Sequence, residues 1–186
     1  AHYVERVVSK AIRAGIALYA IHTNLDSVLE HGVNQRIGNR LGLQKLQILA
    51  PNLVDSSKNT GMGAIGDLPS PFTLDQFIDL LKSRMSCKVV RHTGWMDRPI
   101  QRVAVCGGSG SFLLPKAIAA KADVLVTADF KYHDFFEADR QILVADIGHY
   151  ETEQFTIELL KELIHNKFSN FASHSTTVNT NPVKYA

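Results

Sequence analysis

The sequence has little cysteine, little net charge and no long apolar run. Its two cysteines, Cys87 and Cys106, lie far apart and outside any CxxC spacing, which argues against a disulfide framework and favours a reducing, cytoplasmic setting. No apolar stretch reaches the roughly 20 residues that a membrane helix needs, so we expect no membrane association. The net charge is only +2 and the basic residues are dispersed among acids, which disfavours nucleic acid as a partner without excluding it.

What the sequence does contain is an alternation of apolar runs and segments with apolar residues at helical spacing. With 186 residues, 45% of them hydrophobic and 20% charged, the chain can bury one sizeable core or two small ones. We predict helices over residues 3–14, 25–42 (broken), 74–85, 111–121, 134–139 and 151–168, and strands over 16–22, 43–49, 87–93, 101–107, 123–129 and 142–145. This alternation predicts an α/β protein with a mostly parallel or mixed sheet.

Residues 52–71 are rich in Gly, Ser, Asn and Pro, which is the composition of a linker. We therefore predict that residues 1–51 form part of a first α/β domain and that residues 72–186 form a second one. A helix should begin directly after this linker, because Thr73 is a favoured N-cap residue and Asp75 and Gln76 follow in the first turn.

A histidine and a carboxylate four residues apart follow three of the apolar runs. The pairs are His22 with Asp26, Asp129 with His133, and His149 with Glu153. In open α/β sheets, ligands bind beyond the carboxyl ends of the strands, so we expect these pairs to converge on one site.

Imidazole and carboxylate together bind divalent ions such as Zn, Fe, Mn or Ni, which makes this site a candidate metal site. The alternative for each pair is that the histidine caps a helix or packs in the core. Asp129 has a further alternative, because an Asp just before a short helix is a favoured N-cap. The turn CGGSGSF, residues 106–112, is either a weak anion-binding nest or a tight turn that packs a helix on the sheet.

Several separated motifs carry a resemblance to a known family. YAIHTNLD, VAVCGGSGSFLL, VLVTADFKYHDFFEA, ADIGHYETEQF and VNTNPVKY occur in this order and cover most of the chain outside the linker. Together they resemble the dinuclear-metal family called GTP cyclohydrolase type 2-like, also known as the YbgI-like or Ngg-interacting-factor family. The resemblance implies two interlinked α/β domains, a toroidal homohexamer and two divalent metal ions per full-length subunit in the inner cavity.

The resemblance also implies roles for individual residues. Asp26 matches the family's carboxylate ligand, and His149 and Glu153 match its C-terminal ligand pair. His22, Asp129 and His133 match positions near the metal site.

This sequence departs from the family's pattern at two places. The family's paired-histidine ligand motif, which precedes the helix matching residues 3–14, is absent, so we expect a preceding segment that carries it. Longer members carry an extra domain where residues 52–59 stand, so this segment is either a short connection or a join.

We therefore expect a metal-dependent hydrolase that uses a metal-activated water on a small-molecule substrate. His133 or His22 is the candidate for proton transfer, because a neutral imidazole can act as acid or base near pH 7. The alternative is a non-enzymatic metal-binding or regulatory interaction module.

Overall fold

One mixed sheet organises the chain in a computed structural model that describes residues 2–54, 59–94 and 97–186. The strands in these residues are β1 (Gln44–Pro51), β2 (Gly61–Phe72), β3 (Arg91–His92), β4 (Ile100–Ser109), β5 (Val124–Ala128) and β6 (Leu143–Asp146). Their order across the sheet is β1-β2-β4-β5-β6-β3. The central strands β4, β5 and β6 run parallel, and the remaining pairs are antiparallel. The predicted α/β class with a mixed sheet is confirmed.

Helices cover both faces of this sheet. The α-helices are α1 (Tyr3–Arg13), α2 (Thr23–Asp26), α3 (Val33–Leu41), α4 (Leu74–Met85), α5 (Leu114–Ala119), α6 (His149–Glu153) and α7 (Thr156–Lys167). In the described ranges, 3₁₀ helices span Ser111–Leu113 and Tyr132–Ala138. Among the described residues, none of the helices combines the length and the apolar character needed to cross a bilayer.

The start of α4 follows from its local sequence, as predicted. The Thr73 hydroxyl accepts a hydrogen bond from the Gln76 backbone N–H at 3.3 Å, and the Gln76 side chain accepts one from the Thr73 N–H at 2.9 Å. This reciprocal capping box satisfies two backbone donors that the first helical turn cannot pair.

The core lies on both faces of the parallel strands. On one face, Val103 and Val126 pack with Phe77 and Leu81 of α4, and on the other, Ala104 packs in the cluster that includes helix α5. Burial on both faces explains why β5 and β6 are mostly apolar, with Thr127 and Asp146 as the exceptions, since helices leave neither face to solvent.

The linker predicted over residues 52–71 is wrong where β2 occupies it. Gly61–Phe72 is the longest strand of the sheet and pairs with both β1 and β4. Its glycines allow close strand approach, since a Cβ atom on Gly66 would lie 2.7 Å from the Gln44 carbonyl oxygen. The sheet therefore joins the segments on either side of the predicted boundary. Residues 55–58 of the predicted linker lie outside the described residues.

Two predicted strands also differ from the structure. Residues 16–22 form no strand, and their apolar side chains Ile16, Leu18 and Tyr19 are exposed, because no neighbouring strand pairs with this run among the described residues. The strand predicted over 87–93 is reduced to Arg91–His92, which pairs with the end of β6.

Candidate functional site

The carboxyl ends of β5 and β6 bring an aspartate and a histidine together. Asp129 directly follows β5, and His149 begins α6 shortly after the end of β6. Because these parallel strands are neighbours, the two residues meet, and the Nδ1 atom of His149 lies 2.6 Å from the Oδ2 atom of Asp129. Asp129 is not the N-cap of the following 3₁₀ helix, since that position is Lys131.

The other ring nitrogen of His149 faces a second carboxylate. His149 and Glu153 stand one turn apart on α6, with 3.3 Å between Nε2 and Oε2. Burial lowers the pKa of His149, but the hydrogen bond to Asp129 and the charges of Glu153 and Asp129 outweigh it, so this pKa is raised overall. The imidazole is thus held between two carboxylates.

The glycine turn at the end of β4 packs against this pair. Gly108 has a φ of +63°, and a Cβ atom there would lie 2.6 Å from Oε1 of Glu153 and 3.2 Å from Nε2 of His149. Only a residue without a side chain allows both close contacts and this left-handed backbone.

The backbone amides of the same turn are used inside the protein. The Gly107 N–H donates to the side-chain oxygen of Asn34 at 3.0 Å, and the Gly108 N–H donates to the Thr152 hydroxyl at 2.9 Å. These two amides are therefore not free to bind an anion, and the turn serves to pack α3 and α6 onto the sheet.

Asp26 approaches the pair from α2. The Asn34 amide donates to the Asp26 carbonyl oxygen at 3.0 Å, so Asn34 connects the end of α2 to the glycine turn. Burial raises the pKa of Asp26, and the positive charges of His22 and His149 oppose this rise. Burial also raises the pKa of Glu153, which the charge of His149 lowers and the charge of Asp26 raises further. These carboxylates therefore influence each other electrostatically.

The two histidines expected to transfer protons occupy different surroundings. His22 precedes α2, is exposed, and has its Nδ1 atom 3.2 Å from the Thr23 hydroxyl. His133 is exposed in the 3₁₀ helix, and its ring packs edge-on against Tyr132 at 5.3 Å between centroids. No contact described in the structure joins His133 to His149 or Glu153.

A cavity of about 670 Å³ opens beside His149 and Glu153. The C-terminal tail forms one wall of it, because the buried carboxylate of Glu151 accepts a hydrogen bond from the Asn181 amide at 3.3 Å and one from the Tyr185 hydroxyl. The tail thus closes over the segment that carries the two predicted ligands.

The donors for a metal are present, but a preformed coordination shell is not. Within residues 2–54, 59–94 and 97–186, no group of three or more His, Cys, Asp or Glu side chains is arranged to hold a metal ion. The chemistry of the donors fits a divalent cation, because the His149 imidazole contacts two carboxylates, those of Asp129 and Glu153, at the edge of the sheet. The assignment of Asp26, His149 and Glu153 as ligands stays a prediction.

Comparison with known proteins identifies the family. The model of the Duf34/NIF3 (NGG1p interacting factor 3) family matches residues 1–182. The chain belongs to this family. The family resemblance predicted from the sequence motifs is therefore confirmed.

Members of the Duf34/NIF3 family that resemble this chain are longer than it is. A Staphylococcus epidermidis protein named GTP cyclohydrolase 1 type 2 homolog is 42% identical over 130 residues, covering 67% of this chain and 35% of that protein. A Clostridium acetobutylicum protein of the same name is 32% identical over 176 residues, covering 93% of this chain and 62% of that protein. This chain therefore spans about one third to two thirds of the length of these relatives.

Solved structures share the fold of this Duf34/NIF3 chain. The crystal structure of a Staphylococcus aureus protein matches 97% of this chain and 73% of that chain, with a TM-score of 0.88 and 28% identity. A Thermus thermophilus protein matches 96% of this chain and 69% of that chain, with a TM-score of 0.72 and 30% identity.

Several residues that support the candidate site cannot be predicted from the sequence. Asn34 and Thr152 hold the glycine turn, and Glu151 anchors the tail, but none of them stands in a spacing that indicates chemistry. The contact between Asp129 and His149 is predictable only in part. The sequence shows that each residue follows an apolar run, but it does not show that the two side chains meet.

Proposed function

We propose that this chain binds a divalent metal ion through Asp26, His149 and Glu153. The observation that carries the proposal is the position of the His149 imidazole, which contacts Asp129 through Nδ1 and Glu153 through Nε2. Without a cation, Nε2 and the Glu153 carboxylate attract each other only when a proton lies between them, on the ring or on the carboxyl group. A cation shared by Nε2 and the carboxylate would satisfy both groups without that proton.

Asp129 supports this proposal as the partner of the histidine. A hydrogen bond from Nδ1 to a carboxylate fixes the tautomer in which Nε2 carries the lone pair, and metal-binding histidines commonly have such a partner. Asp129 would therefore orient His149 without binding the metal itself.

The charges at the site also favour a cation. The pKa of Asp26 and the pKa of Glu153 are both raised by burial, and the charge of Asp26 raises that of Glu153 further. Two partly desolvated carboxylates in mutual repulsion are stabilised by a nearby positive charge. We propose Zn, Fe, Mn or Ni as the ion. The family resemblance implies two such ions per full-length subunit, and the proposal includes both.

We propose further that the site supports hydrolysis in the cytoplasm. A bound divalent ion supplies a water-derived nucleophile near neutral pH. His22, whose charge affects both Asp26 and Glu153, is the proton-transfer candidate on this chain, with His133 as the second. The name of the bacterial relatives supports the reaction class and suggests GTP as the first small-molecule substrate to assay.

A non-enzymatic role is the second candidate, and exposed apolar residues favour protein association. Tyr3, Val7 and Ile12 of α1 are exposed, as are Leu18 and Tyr19 after it. Large exposed apolar surfaces mark interaction sites. These residues support the proposal of a homo-oligomer, and the family resemblance implies a hexamer. Light scattering that found only monomer at micromolar concentration would contradict it.

Zn²⁺ titration of EDTA-treated protein tests the metal site. Glu153→Gln keeps the size of the side chain but removes its charge, so we expect the affinity to fall by at least about tenfold. Glu158→Gln is the matched control, because Glu158 is an exposed glutamate on the neighbouring helix α7. Equal affinities for the two variants would contradict the assignment of Glu153.

Turnover separates the two candidate functions. Metal-loaded protein should convert GTP or another hydrolase substrate, and Glu153→Gln should lose this activity while Glu158→Gln retains it. Tight metal binding without turnover of any tested substrate would favour the non-enzymatic alternative.

A further inference from the structure

A second concave site shares the lining residue Arg91 with the cavity described above. It is a groove of about 460 Å³, within the range of about 300–1,000 Å³ that small-molecule sites occupy. Arg91, His92 and Thr93 line it from β3 and the residue after β3, and Tyr132, Phe135 and Phe136 line it from the 3₁₀ helix. We call this site the aromatic groove.

The aromatic groove offers open ring surfaces. The side chains of Tyr132 and Phe136 are 72% and 68% exposed, and their rings meet edge-on at 5.5 Å between centroids. Phe135 is half-buried beneath them and packs against Phe130 at 5.2 Å. Exposed rings with a buried aromatic base form a surface on which a planar ligand can stack.

Arg91 provides a fixed hydrogen-bond donor at the edge of the aromatic groove. Its Nη2 atom donates to the Phe130 carbonyl oxygen at 3.0 Å and to the buried carboxylate of Asp146, and its guanidinium lies over the Phe135 ring at 5.5 Å. In the part of the chain that the structure describes, Nε and Nη1 of Arg91 have no hydrogen-bond partner. A donor group that is already held in place loses little entropy when it binds an anion.

The two concave sites differ in charge. The described lining of the aromatic groove includes Arg91 and His92 and contains no carboxylate. The cavity beside it is lined by Asp129, Glu151 and Glu153 as well as by Arg91. An anionic ligand is therefore compatible with the groove, whereas the cavity suits a cation.

We propose that the aromatic groove binds a small molecule in which a planar aromatic ring carries a phosphate. The ring stacks face-on against one of the two exposed rings, Tyr132 or Phe136, and contacts the other along its edge, because these two rings meet at 72°. The phosphate accepts hydrogen bonds from Arg91. This binding site goes beyond the proposed metal site and does not require a metal ion.

Calorimetric titration of EDTA-treated protein tests the proposal with three probes. Adenosine 5′-monophosphate has both the ring and the phosphate, adenosine has only the ring, and ribose 5-phosphate has only the phosphate. We expect the monophosphate to bind more tightly than either of the other two.

Two exposed aromatic variants and a matched control locate the binding. Phe136→Ala and Tyr132→Ala should each weaken the binding of adenosine 5′-monophosphate by at least about fivefold, the lower limit for loss of one stacked ring. Phe171→Ala should have no effect, because Phe171 is equally exposed at 69% and forms a similar ring pair with Phe168 at 5.6 Å. Arg91→Lys keeps the charge beside Asp146 and should weaken the monophosphate more than adenosine.

Several results would overturn the proposal. The first is that adenosine 5′-monophosphate does not bind, and the second is that Phe136→Ala binds it as tightly as the wild type does. The third is that Phe136→Ala changes the sedimentation of the protein without changing its affinity for the ligand. The last result would show that the groove is a contact between copies of the chain. Zn²⁺ titration of the same preparations is a separate readout, so failure of the groove is distinguished from failure of the metal site.

Discussion

Replacing Gly108 with alanine is expected to disturb the backbone and the two predicted ligands at once. At a φ of +63°, an alanine costs about 1–2 kcal/mol relative to glycine, because its Cβ atom crowds the following carbonyl oxygen. The new methyl group would also lie 2.6 Å from Oε1 of Glu153 and 3.2 Å from Nε2 of His149. Glu153 has the more flexible side chain, so its carboxylate should move away from the histidine.

The matched control is Gly42→Ala. Gly42 ends α3 with a φ of +75°, and a Cβ atom there would have no heavy atom within 4 Å. Urea unfolding should therefore show a loss of about 1–2 kcal/mol for Gly42→Ala and a larger loss for Gly108→Ala. Zn²⁺ affinity should fall by about 10- to 100-fold only in Gly108→Ala, the range seen when groups around metal ligands are altered.

The reasoning would be refuted by equal behaviour of the two glycine variants. If Gly108→Ala and Gly42→Ala lose the same stability and keep the same Zn²⁺ affinity, the methyl group does not press on Glu153 and His149. If Gly108→Ala loses more stability but keeps its affinity, the contact exists and Glu153 is not a ligand.

Three further predictions concern buried groups. Burial raises the pKa of the Cys87 thiol from 9.0 to about 11 and that of Cys106 to about 12, so both should react with a thiol reagent at pH 8 far more slowly in the native protein than in urea. The stability that these buried thiols contribute is fully present below pH 9 and is lost as the pH rises to about 11 or 12, because in this range the thiols ionise in the unfolded protein while they stay protonated in the native protein. A pH-independent difference in the free energy of unfolding between Cys87→Ala and the wild type would contradict this. Tyr185→Phe removes a hydrogen bond to buried Glu151 and should cost about 1–3 kcal/mol, with faster amide hydrogen exchange in residues 178–185; unchanged exchange would show that the tail is held by other contacts.

Elements whose cause is local can be predicted from the amino-acid sequence alone. Apolar runs predicted β5 and β6 because strands buried on both faces are mostly apolar, with Thr127 and Asp146 as the buried polar exceptions. Thr73 and Gln76 predicted the start of α4, since the capping box involves only residues three apart. The sequence also predicted that His149 and Glu153 follow an apolar strand four residues apart, and the separated motifs identified the family.

Which of these elements meet depends on the three-dimensional arrangement of the strands. The spacing suggested Asp129 with His133, but Asp129 contacts His149, because β5 and β6 are parallel neighbours whose carboxyl ends lie side by side. The glycine-rich segment after residue 60 became β2, since its glycines fit the narrow space between β1 and β4, a space that exists only once those strands are in place. Contacts between residues distant in sequence depend on strand order, and no local pattern encodes that order because the packing of the whole core selects it.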